Sequence, residues 1–433
     1  MRFSRYNYLK YSERFGYLLF NTRTKYFLSL SQELFQRLNK LCQLENIEVE
    51  TSDITPDIWS QLVNGKVIVG NNEDDDFYEL KKYLRYKQAF SNKRIGLVLV
   101  PTFTCNFKCP YCYENNLPNT TMRVEVVEAI YSFIKKLGQN DVDLCWHGGE
   151  PLIAFDSIVS FLDKIKNDSD IVLRSHSMVS NGFLLDKSKC NILNEFHLNR
   201  IQITIDGNKD YHNRSRIHKT GVLTYDTIIQ NIENVFQYIP DCQVIVRVNL
   251  HNENKDSFPA LYKELKERWS MQNFVFNISF VNDVNNSCKV ACLANKGKIS
   301  YMRSLYELYG IEDISLSVQP LVGGCTASCI NSYVIGPLGE IYKCWADVGR
   351  KEKIVSNVFD GKISNYLLPS YTVGSDMFSD EKCKKCAFMP MCEGGCIVRR
   401  FNQKHNQTPY DPCPINEDSI LSLMELYYMK KDI

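Results

Sequence analysis

Three cysteines at C-x3-C-x2-C spacing, in Cys105-Asn-Phe-Lys-Cys109-Pro-Tyr-Cys112-Tyr, directly follow an apolar run from Ile95 to Val100. Three thiolates on one short loop suit an iron–sulfur cluster with one iron left without a protein ligand. An incomplete ligand set is how a metal site keeps a position open for a substrate or cofactor. The same sulfurs would serve a structural zinc knuckle, which needs a fourth ligand close by. A denser set lies near the C-terminus. Cys329 is followed by nine residues, Gly339, four residues and Cys344; then come Cys383-x2-Cys386-x5-Cys392-x3-Cys396 and Cys413, with Cys325 four residues ahead of Cys329.

Composition narrows the classes. At 433 residues the chain is long enough for two to four domains with full-sized cores. A net charge of +1 implies no nucleic-acid or acidic-lipid partner. No apolar run approaches membrane-spanning length, and the N-terminus, Met1-Arg-Phe-Ser-Arg-Tyr-Asn-Tyr, has no apolar signal core. The expectation is a cytoplasmic protein without a membrane partner. Its seventeen cysteines, an odd number, then read as metal ligands and core residues rather than a disulfide framework.

Three regions must position these residues. In residues 1–92, Phe15-Gly-Tyr-Leu-Leu-Phe and Lys25-Tyr-Phe-Leu-Ser-Leu flank Asn21-Thr-Arg-Thr as a β-hairpin. Ser31 caps a helix to about Leu41, a second helix covers Asp57–Val63, and a short strand Lys66–Val69 follows. Glu73–Asp76 opens a third helix, negative charge suiting a helix N-terminus. From Arg94 to about Asn282 strand and helix patterns alternate, as in a parallel β/α fold. The expected strands are 95–101, 142–147, 171–179, 201–206, 242–249 and 274–280, with helices such as Val124–Leu137, Ile158–Ile165 and Tyr225–Tyr238. Val244, Val246 and Val248 interleave with Arg247 and Asn249, and Phe276, Ile278 and Phe280 with Asn277 and Ser279. Such alternation makes one face helix-packed and the other a polar lumen, as in an open (β/α)6 partial barrel. Residues 325–415 lose periodicity, and an amphipathic helix, about Asn416–Met429, closes the chain.

The polar residues cluster at the C-terminal ends of the expected strands, where β/α-barrel chemistry is placed. Gly148-Gly149-Glu150-Pro151 follows the second strand: the glycines allow close backbone approach and Glu150 supplies an acceptor. Ser180-Asn181-Gly182 ends the third strand and Asp206-Gly207, with His212 and Arg216, the fourth. Arg247 on the fifth strand is placed facing inward, able to pair bidentately with a ligand carboxylate or to bridge to a lumen acid.

The cysteine loop, with the aromatic Tyr111 just before Cys112, resembles the signature of the radical S-adenosylmethionine (SAM) superfamily. The C-terminal spacing is similar, position by position, to the SPASM extension of that family, C-x9–15-G-x4-C, gap, C-x2-C-x5-C-x3-C, gap, C. The resemblance covers roughly residues 95–415. It implies three 4Fe–4S clusters: a SAM-cleaving one on Cys105, Cys109 and Cys112, an auxiliary one on Cys325, Cys329, Cys344 and Cys396, and a second on Cys383, Cys386, Cys392 and Cys413. It also implies SAM contacts from Tyr111, Gly148, Gly149, Glu150, Ser180, Asn181, Asp206 and Arg247, and a flavodoxin- or ferredoxin-type electron donor. Gly336 and Gly339 around Pro337-Leu338 should let a hairpin return Cys344 towards Cys329. The remaining six cysteines are Cys42, Cys145, Cys190, Cys242, Cys288 and Cys292; most sit in apolar runs as core residues.

Two kinds of relative compete. Anaerobic sulfatase maturases, which make formylglycine, use an Asp directly after the cysteine equivalent to Cys344. Here that position is Trp345 and the nearest acid is Asp347, the one candidate for a general base that the sequence offers. Ribosomal-peptide maturases commonly carry an N-terminal winged-helix-like recognition domain, which residues 1–92 resemble, and Lys343-Cys-Trp-Ala-Asp-Val-Gly resembles their sequence after the cluster cysteine. The expectation is an enzyme that matures a precursor peptide, forming a thioether, carbon–carbon or ether cross-link. Residues 1–92 would be the recognition domain, 93–310 the partial barrel and 311–433 the SPASM domain. A catalytically silent iron–sulfur carrier or peptide scaffold is the reading from another class.

Overall fold

The computed structural model describes residues 1–43, 54–114, 117–281, 290–292, 295–312, 325–360, 366–392, 394–406, 413 and 417–431. At the N-terminus β1 (Arg2–Phe3), β2 (Asn7–Ser12), β3 (Gly16–Asn21) and β4 (Tyr26–Leu30) precede helices Gln32–Gln43, Pro56–Asn64 and Glu73–Ala89, with β5 (Ile68–Val69) before the third. β2, β3 and β4 form an antiparallel sheet, and β1 pairs with β5. Ser31 Oγ accepts from Leu34 N at 3.2 Å, as a helix cap should. β3 is buried on both faces. Leu19 packs with Leu30, Leu38 and Leu62, whereas Leu18 and Phe20 pack on Phe388, Met391 and Leu423. The N-terminal sheet is thus wedged between its own helices and the cysteine-rich C-terminal region.

The centre of the molecule is a run of parallel strands: β6 (Ile95–Leu99), β7 (Asp141–Trp146), β8 (Val172–Ser180), β9 (Arg200–Thr204), β10 (Gln243–Leu250) and β11 (Phe274–Phe280). They pair in sequence order, each with the next, and helices alternate with them. The alternation behaves as its chemistry requires. Val244, Val246, Val248, Ile201 and Ile203 are fully buried in the main core beneath helices such as Val124–Leu137 and Tyr225–Tyr238. The opposite face aligns Thr204, Arg247 and Asn277 in one cross-strand row and Asn249 with Ser279 in the next.

The C-terminal region is more regular than its sequence suggests. β12 (Ser332–Ile335) adds in parallel to the edge of β6, and β13 (Glu340–Tyr342) and β14 (Ser356–Asn357) follow antiparallel, giving nine strands in one sheet. The β12–β13 hairpin turns at Gly339, whose φ of +85° only glycine adopts without strain. Helix Glu417–Lys431 closes the chain against helix Asn295–Tyr309 and β2. Among the described residues no helix is long and apolar enough to cross a membrane.

Candidate active site

The cysteine loop leaves β6 and is stitched down on both sides. Phe103 N donates to Thr120 O at 2.9 Å, Lys108 N to Ile217 O at 2.9 Å and Lys219 N to Asn106 O at 2.8 Å. Burial pushes the Cys105 thiol up to about 11 and the Cys112 thiol up to about 12, and raises Cys109; Cys105 and Cys112 also feel the charge of Cys109. Thiols in such surroundings stay protonated unless a cation compensates them, and iron does so by deprotonating its ligands outright. Arg216, against Cys109, is the cation the protein itself provides.

The Gly148–Glu150 turn lies directly against this loop. Gly149 N donates to Thr102 O at 3.1 Å and Glu150 N to Thr104 O at 2.9 Å. A Cβ on Gly149 would sit 2.4 Å from Thr104 O, so only glycine fits. Glu150 is fully buried and links the motifs: Oε1 accepts from Ser180 Oγ at 2.8 Å and Leu152 N at 3.1 Å, and Oε2 from Asn181 N at 2.7 Å. A carboxylate offers about four acceptor positions, so three donors leave room for one more, such as an ammonium group. Asn181 in turn donates from Nδ2 to Asn106 Oδ1 at 2.7 Å, inside the cysteine loop.

Asp206, at the end of β9, is also fully buried. It accepts from the Tyr111 hydroxyl on Oδ2 and from Asn249 N at 2.8 Å on Oδ1. Arg247 donates to Asn249 Oδ1 at 3.1 Å and to Asn277 Oδ1. Its hydrogen bonds therefore go to two asparagines on the polar face of the sheet, not to an acid that would make a salt bridge.

One constellation was missed by sequence reasoning. His147, between Trp146 and Gly148, is buried with its Nε2 3.2 Å from the Tyr113 hydroxyl and its Nδ1 3.6 Å from Glu114 Oε1. Burial pushes His147 down to about 4 and Glu114 up to about 7, so each is held towards its neutral form. Trp345 packs edge-on to the imidazole, with ring centroids 4.6 Å apart. The only local signal is that these residues neighbour Cys112, Gly148 and Cys344; the meeting itself is non-local. Asp347, by contrast, is buried and accepts from the Tyr371 hydroxyl at 2.7 Å, with Tyr371 stacked on Phe401. Trp345, rather than Asp347, is the residue of this segment that packs against the His147 constellation.

The other cysteines fall into two neighbourhoods. Cys344 feels the charges of Cys325 and Cys396, and Cys325 those of Cys396 and Cys329. Cys392 feels Cys383 and Cys386. Cys413 is exposed. Cys190 and Cys242 are buried in the main core, as expected, whereas Cys145 is half-buried beside Val98 and Trp345 and Cys292 is half-buried. Cys288 and the Cys42 side chain lie outside the described residues. No described cysteine forms a disulfide. Among the described residues no three His, Cys, Asp or Glu side chains converge tightly enough for a single metal ion; a cubane holds its thiolates at separate corners, so the donor chemistry and not a tight cage is what fits it.

Residues 99–265 match the model of the radical SAM superfamily. The chain is 22% identical over 348 residues to a cysteine-type anaerobic sulfatase-maturating enzyme of Clostridium perfringens, covering 70% of this chain and 88% of that protein. Its fold is similar to native anSMEcpe with bound AdoMet and Cp18Cys peptide, with a TM-score of 0.61 at 20% identity over 78% of this chain and 98% of that one. It is also similar to Streptococcus suis SuiB bound to precursor peptide SuiA, with a TM-score of 0.54 at 16% identity over 96% of this chain and 99% of that one.

Proposed function

We propose that this chain, whose residues 99–265 match the radical SAM superfamily, is a cytosolic maturase of that superfamily that modifies a ribosomally made precursor peptide, forming a thioether, carbon–carbon or ether cross-link. Superfamily members use SAM and a 4Fe–4S cluster; here Cys105, Cys109 and Cys112 would hold that cluster, and the bound pair would supply a 5′-deoxyadenosyl radical. The protein's own part is positioning. The observation that carries the reading is the Glu150 node, because one buried carboxylate ties Ser180 and Asn181 together and keeps an acceptor position beside the cysteine loop. Tyr111, Asp206 and Arg216 brace the far side of that loop.

The auxiliary clusters are assigned to Cys325, Cys329, Cys344 and Cys396, and to Cys383, Cys386, Cys392 and Cys413. The neighbourhoods of these thiols support the grouping, and their role would be electron transfer with the product radical and with a flavodoxin- or ferredoxin-type donor. Three regions follow: 1–92 as a winged-helix-like recognition domain, 93–310 as a partial (β/α)6 barrel, and 311–433 as a SPASM domain. Peptide maturation is favoured over formylglycine formation for two reasons. The similarity to SuiB extends over 96% of the chain, against 78% for anSMEcpe. Trp345 also stands where sulfatase maturases need their acid.

Anaerobically reconstituted protein with dithionite and SAM tests the core claim. Production of 5′-deoxyadenosine, abolished in a Cys105→Ala/Cys109→Ala/Cys112→Ala variant, is the expected result; a silent carrier makes none in either form. Iron should reach roughly 12 atoms per chain with three four-iron clusters, and about four would remove the auxiliary assignment.

A further inference from the structure

Arg400 is a buried guanidinium, 5% exposed, on helix Ile397–Asn406, one turn beyond Cys396. Nothing in the fold's core calls for it. Its Nη2 donates to Cys383 Sγ at 3.3 Å and to Gly394 O at 2.7 Å, and its Nη1 donates to Asp380 Oδ2. Asp380 is itself the N-cap of helix Glu381–Lys385, which carries Cys383. One carboxylate therefore fixes both the cysteine's helix and the cation that bonds to the cysteine's sulfur. A buried charge is costly unless paired and hydrogen-bonded, and this one is aimed at a sulfur.

Lys343 is the instructive contrast. It too is buried beside cluster cysteines, yet its Nζ donates to the carbonyls of Cys329, at 2.6 Å, and of Ser332. It braces the Cys329 loop through backbone oxygens. Arg400 instead touches a cysteine sulfur directly, and hydrogen bonds and net charge at the sulfurs are what set the reduction potential of an iron–sulfur cluster.

We propose that the Asp380–Arg400 pair tunes the reduction potential of the cluster assigned to Cys383, Cys386, Cys392 and Cys413: the guanidinium holds the potential up through its N–H···S bond, and the carboxylate tempers it. Arg400 is a positioning residue with an electronic consequence, because each one-electron reduction adds a negative charge next to a fixed cation. The inference rests on the auxiliary-cluster assignment.

The test is a dye-mediated redox titration of the reconstituted full chain with dithionite, followed by EPR. Arg400→Gln should move one cluster midpoint to more negative potential and leave the others in place, with Arg400→Lys falling between. Asp380→Asn, which leaves the guanidinium charge unopposed, should move the same midpoint the other way. Opposite signs are the signature, since damage to packing would weaken or lose the signal in both variants alike. An unmoved midpoint in Arg400→Gln, or shifts of the same sign in both, at full iron content would overturn this inference alone. Wild-type protein lacking a third cluster would overturn it together with the assignment beneath it.

Discussion

Arg216 donates from Nη1 to the Tyr111 hydroxyl at 2.9 Å, and that hydroxyl donates onward to Asp206. Tyr111 belongs to the cysteine loop, Asp206 ends β9, and Arg216 terminates helix Lys209–Ser215. Asp206 and Arg216 are inaccessible or nearly so and Tyr111 is half-buried, and burial alone would disfavour both charges. The phenol thus bridges a buried cation and a buried anion, in the way that makes such charges tolerable.

Tyr111→Phe should therefore cost about 1–3 kcal/mol, the typical penalty for leaving a buried partner unsatisfied. Because the loop carries two cysteines before Tyr111 and one after, cluster loading should fall with it. Denaturation midpoints of reconstituted protein, read with iron content, check this. A variant with wild-type stability and iron would show that the bridge is dispensable.

Glycine substitutions should separate the site from the scaffold. Gly149→Ala places a methyl 2.4 Å from Thr104 O and 2.5 Å from Phe103 O, both backbone atoms that cannot swing aside. Gly221→Ala meets nothing within 4 Å and has only its φ of +83° against it. The first should prevent stable cluster incorporation; the second should cost about 1 kcal/mol and leave iron content unchanged. Iron analysis of the two purified variants decides the point.

Acid should destabilise the fold through buried neutral histidines, His176 foremost. Its Nε2 accepts from Trp146 Nε1 at 2.9 Å, and its Nδ1 lies 2.9 Å from Phe196 O, so a neutral ring protonated at Nδ1 satisfies both neighbours. Burial pushes its pKa down to about 4. The unfolded chain takes up that proton near pH 6.5, so between about 6.5 and 4 the unfolded state binds more protons and stability falls as pH falls. The ceiling for this residue is about 3 kcal/mol at about 1.4 kcal/mol per pH unit. His147 and His212, also lowered by burial, act in the same direction. In His176→Phe the slope of stability against pH over that window should be shallower by about one proton, as denaturant titrations at successive pH values would show.

Strand alternation made the parallel sheet readable. Val244, Val246 and Val248 against Arg247 and Asn249 declare a two-faced strand, and the structure places them so. β2 escaped because its inward ends are polar. Asn7 is buried by bonding to Val67 O at 2.8 Å, and Ser12 by bonding to Glu425 at 2.6 Å. No hydropathy pattern reports a burial satisfied by partners 60 and 413 residues away. β12, β13 and β14 are four, three and two residues long, too short for a period to be expressed. The site divides in the same way. Motif residues on one loop were legible, whereas His147, Glu114 and Trp345 meet only through the fold.

Glu150→Gln is the most economical probe of the site, because its volume is nearly unchanged. The carboxylate accepts from the Leu152 and Asn181 backbone N–H groups on different oxygens. An amide has one oxygen, so in either orientation its NH2 faces one of those donors and leaves a buried N–H without an acceptor. That mismatch costs about 1–3 kcal/mol, and the negative charge available to an ammonium group is lost with it. The expected outcome is a modestly lower denaturation midpoint and SAM affinity reduced at least about tenfold, the equivalent of about 1.4 kcal/mol, by equilibrium dialysis of reconstituted protein. Wild-type affinity with a lowered midpoint would assign Glu150 to the scaffold alone, and the contact with the cofactor's amino group would have to be sought elsewhere in the site.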